Sequence, residues 1–139
     1  MEFLHKRNID VMTGYKPENI INDIEEEERF GSYELGDDGE ERACKGHFKK
    51  LYNAFQEDKD VIIWLMDISK IYGYTKVERV EETNNRGLNF FFSKEEGNLV
   101  IFDKPIDIKE AGVRPPLMFS IKELKTDEIN NLAVLKKED

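Results

Sequence analysis

The chain has 139 residues, of which 39% are hydrophobic and 37% charged, and its formal net charge is −9. This length suits one domain, and clustering of the apolar residues argues against wholesale disorder although the charge content exceeds the usual ~25%. The longest apolar run, 61–66, is six residues, whereas a membrane helix needs about 20. A single cysteine, Cys44, excludes an internal disulfide.

The N-terminus has neither a long apolar stretch nor a small-residue cleavage site, which argues against a signal peptide. Abundant Lys, Glu, Ile and Asn are typical of proteins from low-GC bacteria and their phages. We therefore expect a single domain over residues 1–139, in the cytoplasm of a bacterial host cell.

Helices are predicted in the first half of the chain, after a short strand or arm at 3–12. Pro17 suits the first position of a helix because it has no N–H to lose there, and Ile20, Ile21 and Ile24 follow at helical spacing. A second helix is predicted by an amphipathic stripe formed by Cys44, His47, Phe48, Leu51, Tyr52 and Phe55.

The apolar run at 61–66 is interpreted as the start of a third helix that extends to Tyr72. Asp58 or Asp60 suits its N-cap, and Gly73 suits the left-handed residue that closes a helix. The wide apolar face predicts that this is the most buried helix.

After Gly73 the pattern favours strands. Residues 76–82 predict a charged edge strand, 88–92 and 99–102 predict a hairpin whose second strand ends at Pro105, and 117–122 predict a further strand. The predicted fold class is therefore α+β. It has two to three N-terminal helices, a small antiparallel sheet of three to four strands at about 75–122, and a C-terminal helix capped by Thr126.

Few residues suggest catalysis or metal binding. Cys44 and His47 share a helical face and, with His5, are the chain's few soft metal ligands, but the apolar stripe favours ordinary packing for the first two. The same pair lacks the orienting third group of a nucleophile and its base. We expect no catalytic residues, no metal and no cofactor.

A small metal-dependent nuclease remains an alternative. Glu96 precedes Asp107 and Lys109 at a spacing at which carboxylates could hold Mg²⁺ while a lysine stabilises developing charge. An alternating, half-exposed strand would show the same residues.

Three consecutive phenylalanines, Phe90, Phe91 and Phe92, point alternately to the two faces of a strand. Burial on both sides is one interpretation, and an apolar patch that supports a homodimer is the other.

The negative charge is concentrated near the N-terminus. Residues 1–42 carry thirteen acidic and five basic side chains, whereas 43–139 carry seventeen and sixteen. An acidic helix or loop segment is predicted at about 17–42. Its eleven carboxylates are Glu18, Asp23, Glu25, Glu26, Glu27, Glu28, Glu34, Asp37, Asp38, Glu40 and Glu41.

Such a segment repels nucleic acid and membrane phosphates and attracts basic protein surfaces. Ordinary solvation of a polar surface is the simpler interpretation. The favoured hypothesis is a non-enzymatic interaction protein, of the kind that phages or mobile elements use as nucleic-acid mimics, binding a basic surface of a nuclease or defence protein. A toxin-neutralising immunity protein is a related alternative.

Overall fold

The structure, a computed structural model, describes residues 1–6, 16–26, 31–34, 46–57, 60–82, 87–93, 95, 97–116 and 121–138. The helices in these ranges are α1 (Pro17–Glu26), α2 (Gly46–Gln56) and α3 (Thr126–Glu138). The strands are β1 (Glu2–Lys6), β2 (Gly31–Glu34), β3 (Ile62–Asp67), β4 (Lys70–Glu82), β5 (Gly87–Phe92), β6 (Val100–Asp107) and β7 (Ile121–Glu123).

These strands form one mixed sheet in the order β2-β5-β4-β3-β1-β7, with β6 also paired to β4. β1 is parallel to β3, and the other described pairings are antiparallel. β5 and β6 follow each other along the edge of β4 that faces away from β3. Between them, the Ser93 N–H donates to the Lys76 carbonyl.

The predicted architecture is wrong. Within the described ranges, strands account for more residues than helices, and the sheet is twice the predicted size and includes a parallel pair. β1 is the element that changes the architecture most, because it lies inside the sheet between β3 and β7. Its pairing with β3 joins Leu4 to Trp64, and local periodicity contains no information about a partner that distant.

The predicted helix at 61–72 is instead the β3–β4 hairpin. Ile63 and Leu65 point to one face of the sheet, while Trp64 and Met66 point to the other. Because helices cover both faces, the positions of β3 from Ile62 to Met66 all favour an apolar side chain, and the alternation that marks a half-exposed strand is absent. A continuous apolar run of this length is compatible with either a buried strand or a buried helix.

Gly73 does not close a helix but lies within β4, opposite Leu65 of β3 and Ile101 of β6. A Cβ atom at this position would collide with the Val100 carbonyl oxygen and approach the Ile101 side chain. Glycine is therefore required here by the close approach of β6, and the ladders of β4 with β3 and with β6 are both irregular beside it.

The predicted hairpin between 88–92 and 99–102 is also wrong, because β5 and β6 both pair with β4 and not with each other. Pro105 does not end the strand, which continues to Asp107. Proline is tolerated there because β6 has β4 as its one described neighbour, so one of its edges needs no ladder donor.

Helices pack on both faces of the sheet. Face A carries α1 and α2, whose Ile20 and Leu51 are buried against it. The sheet residues of this core are Phe3, Ile63, Leu65, Tyr72, Val77, Phe90, Phe92 and Ile121. Face B carries α3, whose Leu132 is buried. The other buried residues of the face B core are Leu4, Trp64, Met66, Ile71, Phe102, Ile108, Ala111, Val113 and Leu124.

The three helices outside 61–72 agree with their predictions. α1 begins at Pro17, α2 covers most of the predicted stripe, and α3 begins at Thr126. The N-cap of α3 is nevertheless Lys125, whose carbonyl accepts the Ile129 N–H and whose own N–H donates to Glu128 Oε1 at 3.1 Å. This is one half of a capping box.

Among the described residues, no helix is long and apolar enough to cross a bilayer. The predicted strand at 117–122 is described from Ile121 onward, where it is β7, and its earlier part lies outside the described residues. The same applies to residues 7–12 of the predicted N-terminal arm.

Candidate functional site

The predicted acidic residues are distributed over two elements and several undescribed stretches. Glu18, Asp23, Glu25 and Glu26 lie in α1, and Glu34 ends β2. The remaining six lie outside the described residues: Glu27, Glu28, Asp37, Asp38, Glu40 and Glu41.

The sheet fixes α1 in place. Ile20 is buried in the face A core, and the helix contacts β6. Glu18, Asn19 and Asn22 are exposed. The first part of the acidic segment is therefore a docked amphipathic helix with a polar outer side.

The order of charges along α1 opposes the helix dipole in its second half. Glu18 lies in the first turn, where a carboxylate is favourable, but Asp23, Glu25 and Glu26 lie toward the C-terminal end, and the last turn contains no basic residue. Carboxylates at the negative end of a helix dipole, spaced three or four residues apart or closer, destabilise the helix by a few tenths of a kcal/mol to about 1 kcal/mol each. A basic surface bound at this end would relieve that repulsion.

A second arrangement, which the sequence did not indicate, lies where the parallel strands β1 and β3 end. We call His5, Asp67 and Tyr72 the polar cluster. Each is buried, with 5%, 5% and 1% of its surface exposed, respectively. Asp67 and Tyr72 were overlooked because 61–72 was interpreted as a helix, and His5 was considered only as an isolated metal ligand.

All three members of the polar cluster lie on face A. His5 is opposite Leu65 in the parallel register, Asp67 follows Leu65 by two positions, and Tyr72 packs in the face A core. His5 is the next-to-last residue of β1 and Asp67 the last residue of β3, so both lie near the same edge of the sheet, since the strands are parallel.

Asp67 Oδ2 is buried and has no hydrogen-bond partner. Two other buried polar side chains, Thr75 and Ser93, are satisfied: Thr75 Oγ1 donates to the Ser93 carbonyl at 3.3 Å, and Ser93 Oγ accepts from Asn98 Nδ2 at 3.2 Å. Asp67 differs from these two residues.

Glu128 provides the clearest contrast. This buried carboxylate accepts from Lys122 Nζ and the Arg114 N–H, both at 2.8 Å, and from the Lys125 N–H. Burial raises the pKa of Glu128, but the hydrogen bonds from Lys122, Arg114 and Lys125 and the charge of Lys122 outweigh burial, so that the pKa is lowered. The site ties α3 to the segment before β7.

A strained residue adjoins the polar cluster. Ile68, in the two-residue turn between β3 and β4, has a φ of 52° and is 74% exposed. A β-branched residue with positive φ is uncommon and costs about 1–2 kcal/mol. The turn is held in place by the Ile108 N–H, which donates to the Ser69 carbonyl at 2.8 Å.

Two of the three residues of the nuclease alternative, Asp107 and Lys109, lie among the described residues. Asp107 Oδ1 accepts from the Lys109 N–H at 2.9 Å, so this carboxylate stabilises its own turn, and Lys109 is exposed beyond the end of β6. Glu96 lies outside the described residues. Within those residues, no group of three or more His, Cys, Asp or Glu side chains is arranged to hold a metal ion.

The other predicted positions have separate outcomes. Cys44 lies outside the described residues and His47 lies in α2.

All three phenylalanines of β5 are buried, Phe90 and Phe92 in the face A core and Phe91 beneath Arg79, whose guanidinium carbon is 3.9 Å from the ring centroid. They therefore form no exposed apolar patch.

Comparison with known proteins gives no match: no family model, no curated protein and no solved structure is similar to this chain.

Proposed function

We propose that this protein is a non-enzymatic interaction protein that binds a basic protein surface through its acidic segment, residues 17–42. The observation that carries the proposal is the charge distribution. Eleven carboxylates and two basic residues, Arg29 and Arg42, lie within this segment, whereas 43–139 is almost neutral. Solubility alone does not require such concentration in one part of the chain.

The placement of α1 supports the proposal. Its inner side is anchored by Ile20, so its outer side is presented on a rigid scaffold and does not have to be ordered at binding. Glu18 belongs to that exposed side.

The chemistry of the segment favours a nucleic-acid-binding partner. A helix rises about 1.5 Å per residue, so the adjacent Glu25 and Glu26 of α1 are spaced along the helix axis about as closely as the charges of a duplex, which carries one charge per about 1.7 Å. A surface of Lys and Arg that holds a phosphate backbone would accept this segment in its place. We propose a nuclease or a defence protein of a bacterial host as the partner class, with the chain acting as a phage-type or mobile-element-type inhibitor.

Partner capture from a bacterial lysate tests the proposal, with the tagged full-length chain compared with a variant in which Glu25, Glu26, Glu27 and Glu28 are replaced by Gln. A matched variant neutralises four exposed carboxylates elsewhere, as Asp60→Asn, Glu78→Gln, Asp103→Asn and Glu110→Gln. Both variants change the net charge equally.

The expected result is a nucleic-acid-handling protein that the wild type and the matched variant retain at low salt, that high salt releases, and that the Glu25–Glu28 variant does not retain. Equal retention by all three chains would contradict the proposal. A retained toxin whose catalytic surface is blocked would instead identify an immunity protein.

A further inference from the structure

We propose that the polar cluster is a binding site for a small protonated amine, with Asp67 as the acceptor of its charge. This inference is independent of the acidic segment and of the partner proposed above. It rests on four features of the β1–β3 edge: an unsatisfied carboxylate oxygen, the residues beside it, the strain in the adjoining turn, and the topology.

The unsatisfied oxygen is the central observation. Asp67 is 5% exposed, and its Oδ2 has no donor. A buried acceptor left without a partner costs about 1–3 kcal/mol, and more when it is charged. Because the fold gives Glu128 three donors, it is able to satisfy a buried carboxylate, whereas Asp67 Oδ2 still lacks a donor.

The geometry suits a shared ligand. His5 is paired with Leu65 of the neighbouring strand, and Asp67 lies two positions beyond Leu65 along β3. For a strand spacing of about 4.8 Å and a rise of about 3.3 Å per residue, the Cα atoms of His5 and Asp67 are about 8 Å apart. At this separation, a small group between the two side chains can reach both. Tyr72 contributes a phenol to the same face from the irregular part of β4.

The turn beside Asp67 has a strained backbone at Ile68, although a different residue at this position would remove the strain. An Asn or Gly at position 68 would adopt the positive φ without strain, yet the residue is an exposed isoleucine. Backbone strain of this kind is concentrated at ligand sites and clamps. Ile68 is bonded directly to Asp67 and so lies at the rim of the proposed site.

The topology brings the carboxyl ends of the parallel strands β1 and β3 to the same edge of the sheet, so that side chains from both strands lie beside each other there. The class of ligand follows from the chemistry. A carboxylate oxygen requires a donor, a cationic donor makes the stronger hydrogen bond, and the small exposed fraction of Asp67 admits only a compact head group. A primary ammonium group meets these requirements.

The test is a ¹H–¹⁵N NMR titration of the full chain with n-propylammonium chloride, with 1-propanol and sodium chloride as controls. We expect saturable shifts of the His5, Asp67 and Tyr72 amide signals with the ammonium ion and none with either control. Asp67→Asn keeps the shape of the side chain and should weaken binding at least about tenfold. Asp103→Asn removes an exposed carboxylate of β6 and should leave binding unchanged.

Three results would overturn the proposal: no saturable shift with n-propylammonium, equal shifts with 1-propanol, or undiminished binding by Asp67→Asn. The first is also the result expected if a buried water molecule satisfies Oδ2. Should Asp67→Asn fail to fold, the comparison of n-propylammonium with 1-propanol on the wild-type chain still decides the question.

Discussion

Individual residues in this protein take roles that depend on which strand lies beside them. Glycine at 73 permits the close approach of β6, isoleucine at 68 occupies a strained turn, and glutamate at 128 collects three donors. None of these roles follows from the local sequence. Gly73 and Ile68 lie in a stretch whose composition favoured a helix, and the donors to Glu128 include a backbone N–H fourteen residues away, at Arg114.

The strain at Ile68 predicts a stabilising substitution. Ile68→Asn should raise the free energy of unfolding by about 1 kcal/mol, because asparagine adopts positive φ more readily and little apolar burial is lost at 74% exposure. Urea unfolding measures the change. Ser69→Asn, at the neighbouring position without positive φ, serves as the control and should have little effect. A destabilised Ile68→Asn variant would show that the turn is not strained.

The satisfied carboxylate predicts a pH-dependent contribution to stability. The pKa of Glu128 is lower in the folded chain than in the unfolded chain, so its contribution is complete above the unfolded value of about 4.3 and is lost as pH falls through the folded value. Glu128→Gln should therefore lower the free energy of unfolding by about 2 kcal/mol at neutral pH. In unfolding experiments at a series of pH values, the difference from wild type should shrink below about pH 4. A difference that does not change with pH would contradict this account.

At the scale of elements, the β3–β4 hairpin shows where sequence reasoning fails. α1, α2, α3 and β5 were predicted because each has one apolar face or one clear pair of boundaries. β3 has no single apolar face and no clear boundaries, since both of its faces are covered. The register that places β5 and β6 along one edge of β4 depends on contacts that are remote in sequence. Of the candidate site, the acidic helix was predicted, but the polar cluster required the parallel pairing of β1 with β3.

The close contact of β4 with β6 predicts a strong effect at Gly73. Gly73→Ala should lower the free energy of unfolding by about 3 kcal/mol or prevent folding, because the added Cβ meets the Val100 backbone, which cannot move independently of the sheet. Gly97→Ala is the comparison, since that position is open but has a φ of 91°. Its expected loss is about 1 kcal/mol. Thermal or urea unfolding distinguishes the two, and equal losses would argue against the close approach.

An ammonium group adds to the apolar packing of helix α3 against face B. Lys136 Nζ donates to Glu2 Oε1 at 3.2 Å and lies 5.4 Å and 5.5 Å from the ring centroids of Trp64 and Tyr74. The Trp64 indole N–H donates to the same Glu2 oxygen at 2.8 Å. Lys136 therefore links the last part of α3 to β1 and β3.

This attachment predicts a signal from the chain's single tryptophan. Lys136→Met should lower the free energy of unfolding by about 1 kcal/mol and shift the fluorescence of the buried Trp64 to longer wavelength, because the end of α3 is less firmly held. Lys104→Met, at an exposed position in β6, should change neither quantity. An unaltered emission spectrum in Lys136→Met would contradict a role for this contact in docking α3.

The whole molecule consists of a nearly neutral sheet scaffold and an acidic segment that leads from α1 through β2. The scaffold buries cores on both faces of the sheet and holds α1 with its polar side outward. The concentration of negative charge could be predicted from the sequence because it requires only a count of acidic and basic residues along the chain. Which side of α1 faces outward depends on the sheet beneath it.

The central claim, that the acidic segment binds a basic surface, is tested most directly by the salt dependence of affinity for the captured partner. The wild type, the Glu25–Glu28 variant and the matched variant are titrated into that partner at several salt concentrations. The account predicts that affinity falls steeply with salt for the wild type and the matched variant, and that the Glu25–Glu28 variant binds more weakly with a shallower slope. The same affinity and the same slope for all three chains would contradict it.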